Sequence, residues 1–207
     1  MIESVPPATF VYLASQSPRR RELLEQLHIP HELLAPHGDE DVEALERRLG
    51  NESPRTYVRR VTRLKAEAAV RRLASRTLPV APILVGDTTV AIDQEILAKP
   101  ADADDARRIL AALSGRAHRV LTAVVVVGQG RMEEALSESR VRFRTLTPAD
   151  IDAYITSGEP FGRAGAYAIQ GRGAAFVERI SGSHSGIVGL PLYETIQLLH
   201  RFGIQPQ

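Results

Sequence analysis

The sequence predicts a mixed α/β fold. Apolar runs rich in Val, Ile and Thr alternate along the chain with segments that open on a helix N-cap residue, the order typical of α/β proteins. Two of these runs are separated only by the turn Gly128-Gln129-Gly130, which predicts a hairpin and therefore a mixed sheet. No repeat or long linker interrupts the 207 residues. One domain over residues 1–207 is expected, with disordered ends at about 1–8 and 203–207.

The first half of the chain opens two helices with the same pair of residue types. Ser17 and Ser53 each precede a proline, the pattern of a serine N-cap followed by proline at the first helical position. The β-branched content of Ile83–Ile92 predicts a strand. The other predicted elements are a strand at Phe10–Ala14, a helix through Leu27, a strand at His31–Ala35, a loop with a short helix at Gly38–Gly50 and a helix to about Ser75.

The second half of the chain shows two more helix starts. Asp102 caps a predicted helix at Ala103–Leu113, and Thr147 caps one that runs to about Thr156. Residues 157–173 contain five glycines and a proline, too many for regular structure. The remaining predictions are the hairpin strands Arg119–Val127 and Ala135–Thr145, a strand at Ala174–Ile180 and a helix at Leu192–Leu199.

Composition excludes several classes of function. The 26 Lys and Arg residues against 25 Asp and Glu give a net charge of +1, whereas proteins that wrap nucleic acid are usually far more basic. The absence of cysteine excludes disulfides, thiolate zinc sites and a cysteine nucleophile. No apolar run approaches the roughly 20 residues of a membrane span, and the N-terminus lacks the features of a signal peptide. We therefore expect a cytoplasmic protein that binds neither nucleic-acid polymers nor membranes.

Three stretches carry residues that indicate chemistry. The first places Arg19, Arg20 and Arg21 in the opening turn of a helix, directly after a predicted strand. Cations at a helix N-terminus oppose the macrodipole, at a cost of about 0.3–1 kcal/mol each. An anion bound by free N–H groups and the guanidinium groups would account for the arrangement. A solvated basic patch accounts for it equally well, so the spacing leaves both interpretations open.

The second stretch is the predicted strand with Asp87 near its centre. Alternation places Asp87 on the same face as Val85 and Thr89. A buried carboxylate in a strand requires a partner or a cation, so a catalytic base or a metal ligand fits the position. A tight turn at Gly86-Asp87 also fits, and it is the more common arrangement.

The third stretch is the long helix that begins at Pro54. Lys65 follows Val61 by four residues and therefore lies within the apolar stripe of the helix. Its side chain either points into a cleft to meet an anion or extends outwards to solvent. The pattern by itself favours the solvent-directed arrangement.

Taken in order, these stretches resemble the Maf family of nucleoside triphosphate pyrophosphatases. The resemblance covers roughly Val11 to Leu199 and rests on six motifs. They are L-A-S-x-S-P-R-R-x-E-L-L at 13–24, the Gly-Asp-Thr of the family's G-x-D-T motif at 86–88, K-P at 99–100, L-S-G-x-x-H-x-V-x-T at 113–122, A-G-A-Y-x-I-Q-G at 164–171 and V-G-L-P at 188–191.

The resemblance implies a fold similar to the inosine triphosphatases: a long mixed sheet flanked by helices, with a cleft between two lobes. It implies a homodimeric enzyme that hydrolyses a nucleoside triphosphate to the monophosphate and pyrophosphate with a divalent cation such as Mg²⁺ or Mn²⁺. Asp87 is then the catalytic proton acceptor, and Glu40 holds the metal together with Asp87. The phosphate-binding residues implied are Ser15, Arg20, Lys65 and Lys99.

Three positions distinguish substrate groups within the family. The group that acts on dTTP and UTP resembles this chain at Arg19, Thr88 and Gln170, whereas the group that acts on 7-methyl-GTP tends to have a bulky aromatic, Gln and Glu there. The amide of Gln170 offers both a donor and an acceptor to a uracil or thymine edge. The resemblance therefore implies dTTP and UTP, with modified pyrimidine triphosphates as further candidates.

Two alternatives remain: a 7-methyl-GTP pyrophosphatase, and a non-catalytic nucleotide-binding regulator of septum formation. Asp87 argues against the regulator, because a carboxylate beside phosphates weakens anion binding by like-charge repulsion.

Overall fold

A seven-stranded mixed sheet lies at the centre of the computed structural model, which describes residues 9–38 and 40–206. Its strands are β1 (Val11–Leu13), β2 (His31–Leu33), β3 (Ile83–Ile92), β4 (Glu95–Leu97), β5 (Ala117–Gly128), β6 (Arg131–Phe143) and β7 (Val177–Ser181). The order is β2-β1-β3-β5-β6-β7, and β4 pairs with β3. β1 is parallel to β2 and β3, whereas all other pairs are antiparallel. The predicted mixed sheet is confirmed.

Helices cover both faces of this sheet. They are α1 (Pro18–Gln26), α2 (Pro54–Ala74), α3 (Ala103–Leu113), α4 (Pro148–Thr156), α5 (His184–Val188) and α6 (Leu192–Arg201). α2 packs on the face that carries Val85 and Ala91 of β3. α1 and α6 cover one part of the opposite face, and α3 and α4 cover another. Within the described ranges, no helix is long and apolar enough to cross a membrane.

The sheet leaves one stretch of β3 with a neighbour on a single side. β1 pairs with β3 as far as Leu84, and β4 pairs with it from Val90 onwards. Between these points, in the described part of the chain, residues 85–89 of β3 pair only with β5. Since successive side chains of a strand point to opposite faces, side chains from both faces of the sheet reach this opening. Asp87 is the central residue of the stretch.

The helix starts predicted from the sequence are largely confirmed. The side chains of Ser53, Asp102 and Thr147 accept hydrogen bonds from backbone N–H groups in the first turns of α2, α3 and α4. Ser17 precedes α1 as expected, but its side chain makes no capping hydrogen bond. Instead, the Ser17 N–H donates to Ser15 Oγ at 3.2 Å. The predicted bounds of Ile83–Ile92 and Ala103–Leu113 match the structure.

The differences lie in the second hairpin strand and near the C-terminus. β6 begins four residues before the predicted Ala135, because the tight turn pairs Gly128 directly with Arg131. The last strand begins at Val177, since residues 172–176 form a 3-10 helix. The short elements β4 and α5 were not predicted. Ile204 lies within the end expected to be disordered, yet it is 1% exposed and packs in the core beside α6. The other expected disordered end, residues 1–8, lies outside the described residues.

His118 of β5 is buried in an aromatic cluster. Its Nε2 lies 2.8 Å from Tyr167 Oη, and its ring meets Phe143 edge to face. The ring is 2% exposed, and burial lowers the pKa of His118 to about 4. The imidazole is therefore neutral in the folded protein at neutral pH.

His118→Gln is expected to make the free energy of unfolding less dependent on pH between about 6.5 and 4. The unfolded chain takes up a proton at the ordinary histidine pKa, whereas folded His118 does so only near pH 4, so wild-type stability falls as the pH falls through this window. The glutamine of the variant cannot titrate. Urea unfolding at pH 7 and at about pH 4.5 measures this difference. Between these two pH values the free energy of unfolding should fall by about 2 kcal/mol more in the wild type than in His118→Gln. Equal losses would contradict the assignment.

Candidate active site

A cleft of about 490 Å³ lies at the open stretch of β3, a volume typical of small-molecule sites. The start of α1 and Gly189 form one wall, and residues 162–170 form another. α2 and a 3-10 helix at Glu43–Glu46 complete the lining. Of the nine residues predicted for the site, all but Glu40 line the cleft: Ser15, Arg19, Arg20, Lys65, Asp87, Thr88, Lys99 and Gln170.

Asp87 is buried at the centre of β3, with 8% of its surface exposed. Because Ile83–Ile92 is one continuous strand, the alternative of a turn at Gly86-Asp87 is excluded. Lys65 Nζ donates to Asp87 Oδ1 at 2.6 Å, and the lysine side chain is 14% exposed. Lys65 therefore points into the cleft, and the solvent-directed arrangement is wrong.

Glu46 is a second carboxylate at Lys65, and it was not among the residues predicted for the site. Lys65 Nζ donates to Glu46 Oε1 at 2.7 Å, and Lys99 Nζ lies 3.5 Å from Glu46 Oε2. Tyr57 Oη donates to the backbone carbonyl of Glu46 at 2.9 Å, which fixes the 3-10 helix over α2. Burial raises the pKa of Glu46, but Lys65 and Lys99 outweigh it, so the pKa lies below its ordinary value.

No motif or periodicity points to Glu46, which precedes Lys65 by 19 residues in an irregular segment. The available signal was indirect: a lysine within an apolar stripe needs an anionic partner if it does not reach solvent. The structure identifies that partner as two carboxylates from different elements.

Three N–H groups of the Arg20 guanidinium donate hydrogen bonds within the protein. Its Nε donates to the Gly189 carbonyl at 2.7 Å, and Nη1 donates to Ser15 Oγ at 3.0 Å. Its Nη2 donates to Thr88 Oγ1 at 3.3 Å. Burial lowers the pKa of Arg20, while the charges of Asp87 and Glu46 act in the opposite direction. A guanidinium has five N–H groups, so two remain for a ligand in the cleft.

Thr88 faces the opposite side of β3 from Asp87 and anchors this arrangement. Thr122 Oγ1 donates to the Gly186 carbonyl at 2.7 Å. A hydroxyl has a single proton, so in the 2.9 Å contact between the two threonines Thr88 is the donor. Thr88 Oγ1 is then an acceptor for Arg20. Arg20, Thr88 and Thr122 thus form one hydrogen-bonded series on the α1 side of the cleft.

The arginines at the start of α1 have different surroundings. Arg21 is about half exposed and pairs with Glu25 across one turn, so the solvated-patch interpretation holds for this residue. Arg19 Nε is buried and has no hydrogen-bond partner among the described residues. A buried donor without a partner is costly, and Arg19 lines the cleft. Its position therefore suits a residue that binds a ligand.

The structure places Glu40 outside the cleft lining. Both of its carboxylate oxygens accept from Arg72 Nε at 3.0 Å, and Oε2 also accepts from Nη2 at 2.5 Å. These hydrogen bonds, against a smaller opposing effect of burial, lower the pKa of Glu40 to about 2. Glu40 thus holds Arg72 of α2, whereas Glu46 is the glutamate that shares Lys65 with Asp87. Among the described residues, no group of three or more His, Asp or Glu side chains is arranged to hold a metal ion.

The family model for Maf-like proteins matches residues 10–202, which spans nearly the whole chain and all of the elements that form the cleft. The chain belongs to the Maf family. The resemblance inferred from the six motifs is thereby confirmed.

Relatives of this Maf protein are similar over almost their full length. A protein of Ralstonia nicotianae is 60% identical over 205 residues, 99% of each chain. One from Burkholderia pseudomallei is 61% identical over 198 residues, 95% of each chain. A third, from Polaromonas sp., is 58% identical and covers 97% of this chain and 100% of its own. All three are named dTTP/UTP pyrophosphatase.

Proposed function

We propose that this protein hydrolyses dTTP and UTP to the nucleoside monophosphate and pyrophosphate. The observation that carries the proposal is the buried carboxylate of Asp87, held by Lys65 at the centre of a cleft that Arg20 and Lys99 also line. The choice of dTTP and UTP is supported by the relatives at about 60% identity that bear this name.

In the proposed reaction, Asp87 accepts a proton from water. The water oxygen forms a bond to the α phosphorus, the bond from that phosphorus to the bridging oxygen breaks, and pyrophosphate leaves with the bridging oxygen. A triphosphate carries about four negative charges near neutrality, so basic groups must offset them before an anionic nucleophile approaches. Lys65, Lys99 and the remaining N–H groups of Arg20 would supply that positive charge.

The donor set of the cleft fits a divalent cation that is bound largely by substrate. Lys65 Nζ binds one oxygen of Asp87 and one of Glu46, which places the two carboxylates side by side, and the second oxygen of each would be the one to meet a cation. Hard oxygen ligands suit Mg²⁺, which is usually bound by one or two carboxylates and completed by water and phosphate oxygens. We propose Asp87 with Glu46 as these ligands, in place of the expected Asp87 and Glu40. A cation held there would offset charge on the phosphoryl groups.

The test is to incubate the purified protein with UTP, dTTP, CTP, GTP and 7-methyl-GTP in the presence of Mg²⁺ and to identify the products. UMP and dTMP with pyrophosphate as the main products are expected. A preference for 7-methyl-GTP would move the protein to the other substrate group. Tight UTP binding without turnover would support the non-catalytic regulator.

Gln170→Glu is expected to lower kcat/KM for dTTP and UTP more than for 7-methyl-GTP, which narrows or reverses their ratio. Gln170 lies in the cleft wall, where its amide can pair with the O4 and N3–H edge of uracil or thymine. A carboxylate offers only acceptors, so it leaves the O4 atom unpaired and suits a base that carries donors. Steady-state rates on both substrates decide the matter. A uniform decrease for all triphosphates would mean that Gln170 does not recognise the base.

Three further expectations stay predictions: the homodimer that the resemblance implies, and the cytoplasmic location and single domain over residues 1–207 that the sequence itself suggests. Light scattering during size-exclusion chromatography tests the first. Limited proteolysis tests the third, since a single domain should resist cleavage between its elements.

A further inference from the structure

The loop at residues 168–173, which contains Gln170, is held before and after this residue by hydrogen bonds to the side chains of Glu159 and Tyr154. Glu159 follows α4 and accepts hydrogen bonds from the backbone N–H groups of Arg172 at 3.0 Å and Gly173 at 3.1 Å. Tyr154 of α4 donates to Glu159 Oε1 at 2.7 Å. The same Tyr154 oxygen accepts from the Ala168 N–H at 3.1 Å. These contacts flank Gln170 in sequence, two residues before it and two to three residues after it.

The backbone of the loop approaches these two side chains closely. A Cβ atom placed on Gly171 would lie 2.4 Å from Glu159 Oε2, and one on Gly173 would lie 2.8 Å from Tyr154 Oη. A side chain at Gly171 would displace the Glu159 carboxylate, and one at Gly173 would also meet the Ala168 carbonyl oxygen at 2.8 Å. The two glycines that follow Gln170 therefore serve the contact with Glu159 and Tyr154, in addition to any contact with a base.

The backbone of Glu159 is also held by a hydrogen bond. Its carbonyl accepts from Arg163 Nε at 2.7 Å, and Arg163 lines the cleft. Burial raises the pKa of Glu159, but the two backbone N–H groups and Tyr154 outweigh this effect, so the pKa lies below its ordinary value. The carboxylate is charged at neutral pH, and hydrogen bonds to a charged acceptor are stronger than those between neutral groups.

We propose that Glu159, through Tyr154, is a positioning residue for base selection: it holds residues 168–173 in the conformation that directs Gln170 into the cleft. The inference rests on the proposed function, since it assigns the reading of the base to Gln170. Glu159 itself does not line the cleft, so its effect on the substrate is exerted through the loop. A displacement of about 1 Å in a positioning group can change rates by about 10²-fold.

Glu159→Gln tests the proposal with little change in shape. The amide can still accept at one position, but its NH₂ group then faces an N–H donor of the loop, so at least one loop hydrogen bond is lost. Tyr154→Phe is the second variant, because it removes the contacts to both Ala168 and Glu159 and keeps the ring packed against Phe176. Asp152→Asn is the matched control: it neutralises an exposed carboxylate on α4 that pairs with Arg107.

The measurement is kcat/KM for UTP, dTTP, CTP and GTP, together with amide hydrogen exchange at residues 168–173. Glu159→Gln and Tyr154→Phe should each reduce the preference for UTP over CTP and GTP by about tenfold and increase exchange in the loop. The double variant should lose little more than the more affected single variant, since both residues hold one loop. Asp152→Asn should match the wild type in both measurements.

Two results would overturn the proposal. One is an unchanged substrate preference in Glu159→Gln and Tyr154→Phe. The other is an equal decrease for all four triphosphates, which shows that the two residues contribute only to folding. Failure of the proposed function is recognised separately, in the wild type: if the wild type prefers a purine triphosphate, the pyrimidine assignment is wrong, and the variants are then judged on the wild type's own order of preference.

Discussion

Asp87→Asn is expected to lower kcat for UTP by at least about 10²-fold, the lower end for a positioned general base. Asparagine keeps the shape of the side chain, and its amide oxygen can still accept from Lys65, so β3 and the cleft should be preserved. The variant removes the group that takes the proton from water. It also removes a negative charge next to the phosphates, so the affinity for the uncleaved nucleotide, titrated without a divalent cation, should be equal to that of the wild type or higher.

This expectation is checked by single-turnover kinetics and by calorimetric titration with UTP. Thermal melting gives the control for folding, since Asp87 is buried and its loss of charge leaves Lys65 with Glu46 as its remaining anionic partner. A folded variant with wild-type turnover would disprove the assignment of Asp87 as the base.

Lys65→Ala is expected to weaken the affinity for UTP by about 10- to 150-fold, the equivalent of about 1.5–3 kcal/mol for a hydrogen bond to a charged group. In the structure Lys65 separates two carboxylates, Asp87 and Glu46. Its removal leaves these like charges facing each other and facing the phosphates. The affinity for UMP should fall less, because UMP lacks the β and γ phosphates.

Arg63→Ala is the matched control for Lys65→Ala. Arg63 lies two residues earlier on α2 and is about half exposed, and it pairs with Glu134, outside the cleft. Its loss removes the same positive charge from the same helix and should leave nucleotide affinity nearly unchanged. Equal losses of UTP and UMP affinity in Lys65→Ala would place Lys65 away from the β and γ phosphates.

Arg20 would be a less decisive target than Lys65. The sequence implied that it binds phosphate, but the structure shows its guanidinium bonded to Gly189, Ser15 and Thr88. An Arg20→Ala variant would therefore release the α1 wall of the cleft as well as remove a charge. Loss of nucleotide binding in that variant would not separate the two effects.

Much of the fold could be predicted because its elements are marked by local chemistry. Helix starts are given by cap residues at Ser53, Asp102 and Thr147, whose side chains bond to N–H groups only a few residues away. The long strand Ile83–Ile92 is given by its β-branched content. The short elements β4 and α5 were missed, since three to five residues are too few to show a periodicity.

The membership of the site was also largely given by the sequence. Motifs placed Asp87 and Gln170 among its candidates, the apolar stripe of α2 added Lys65, and the structure brings all three to one cleft. The placement of Glu40 is the exception. The resemblance implied Glu40 as a metal ligand, but Arg72 binds both of its oxygens, whereas Glu46 reaches Lys65 from a 3-10 helix that no motif marks.

The amino-acid sequence was sufficient for the alternation of strands and helices, for the family and for eight charged or polar residues of the cleft. Each of these depends on neighbours along the chain or on a short motif of consecutive residues. The partners of the charged groups depended on tertiary packing. The sequence allowed Lys65 to face either solvent or the cleft. In the structure β3 leaves Asp87 at an open stretch of the sheet beneath α2, and Lys65 pairs with it there. Arg20 meets Gly189 across 169 positions of chain. Such contacts are fixed by how helices pack on the sheet, which no local pattern specifies.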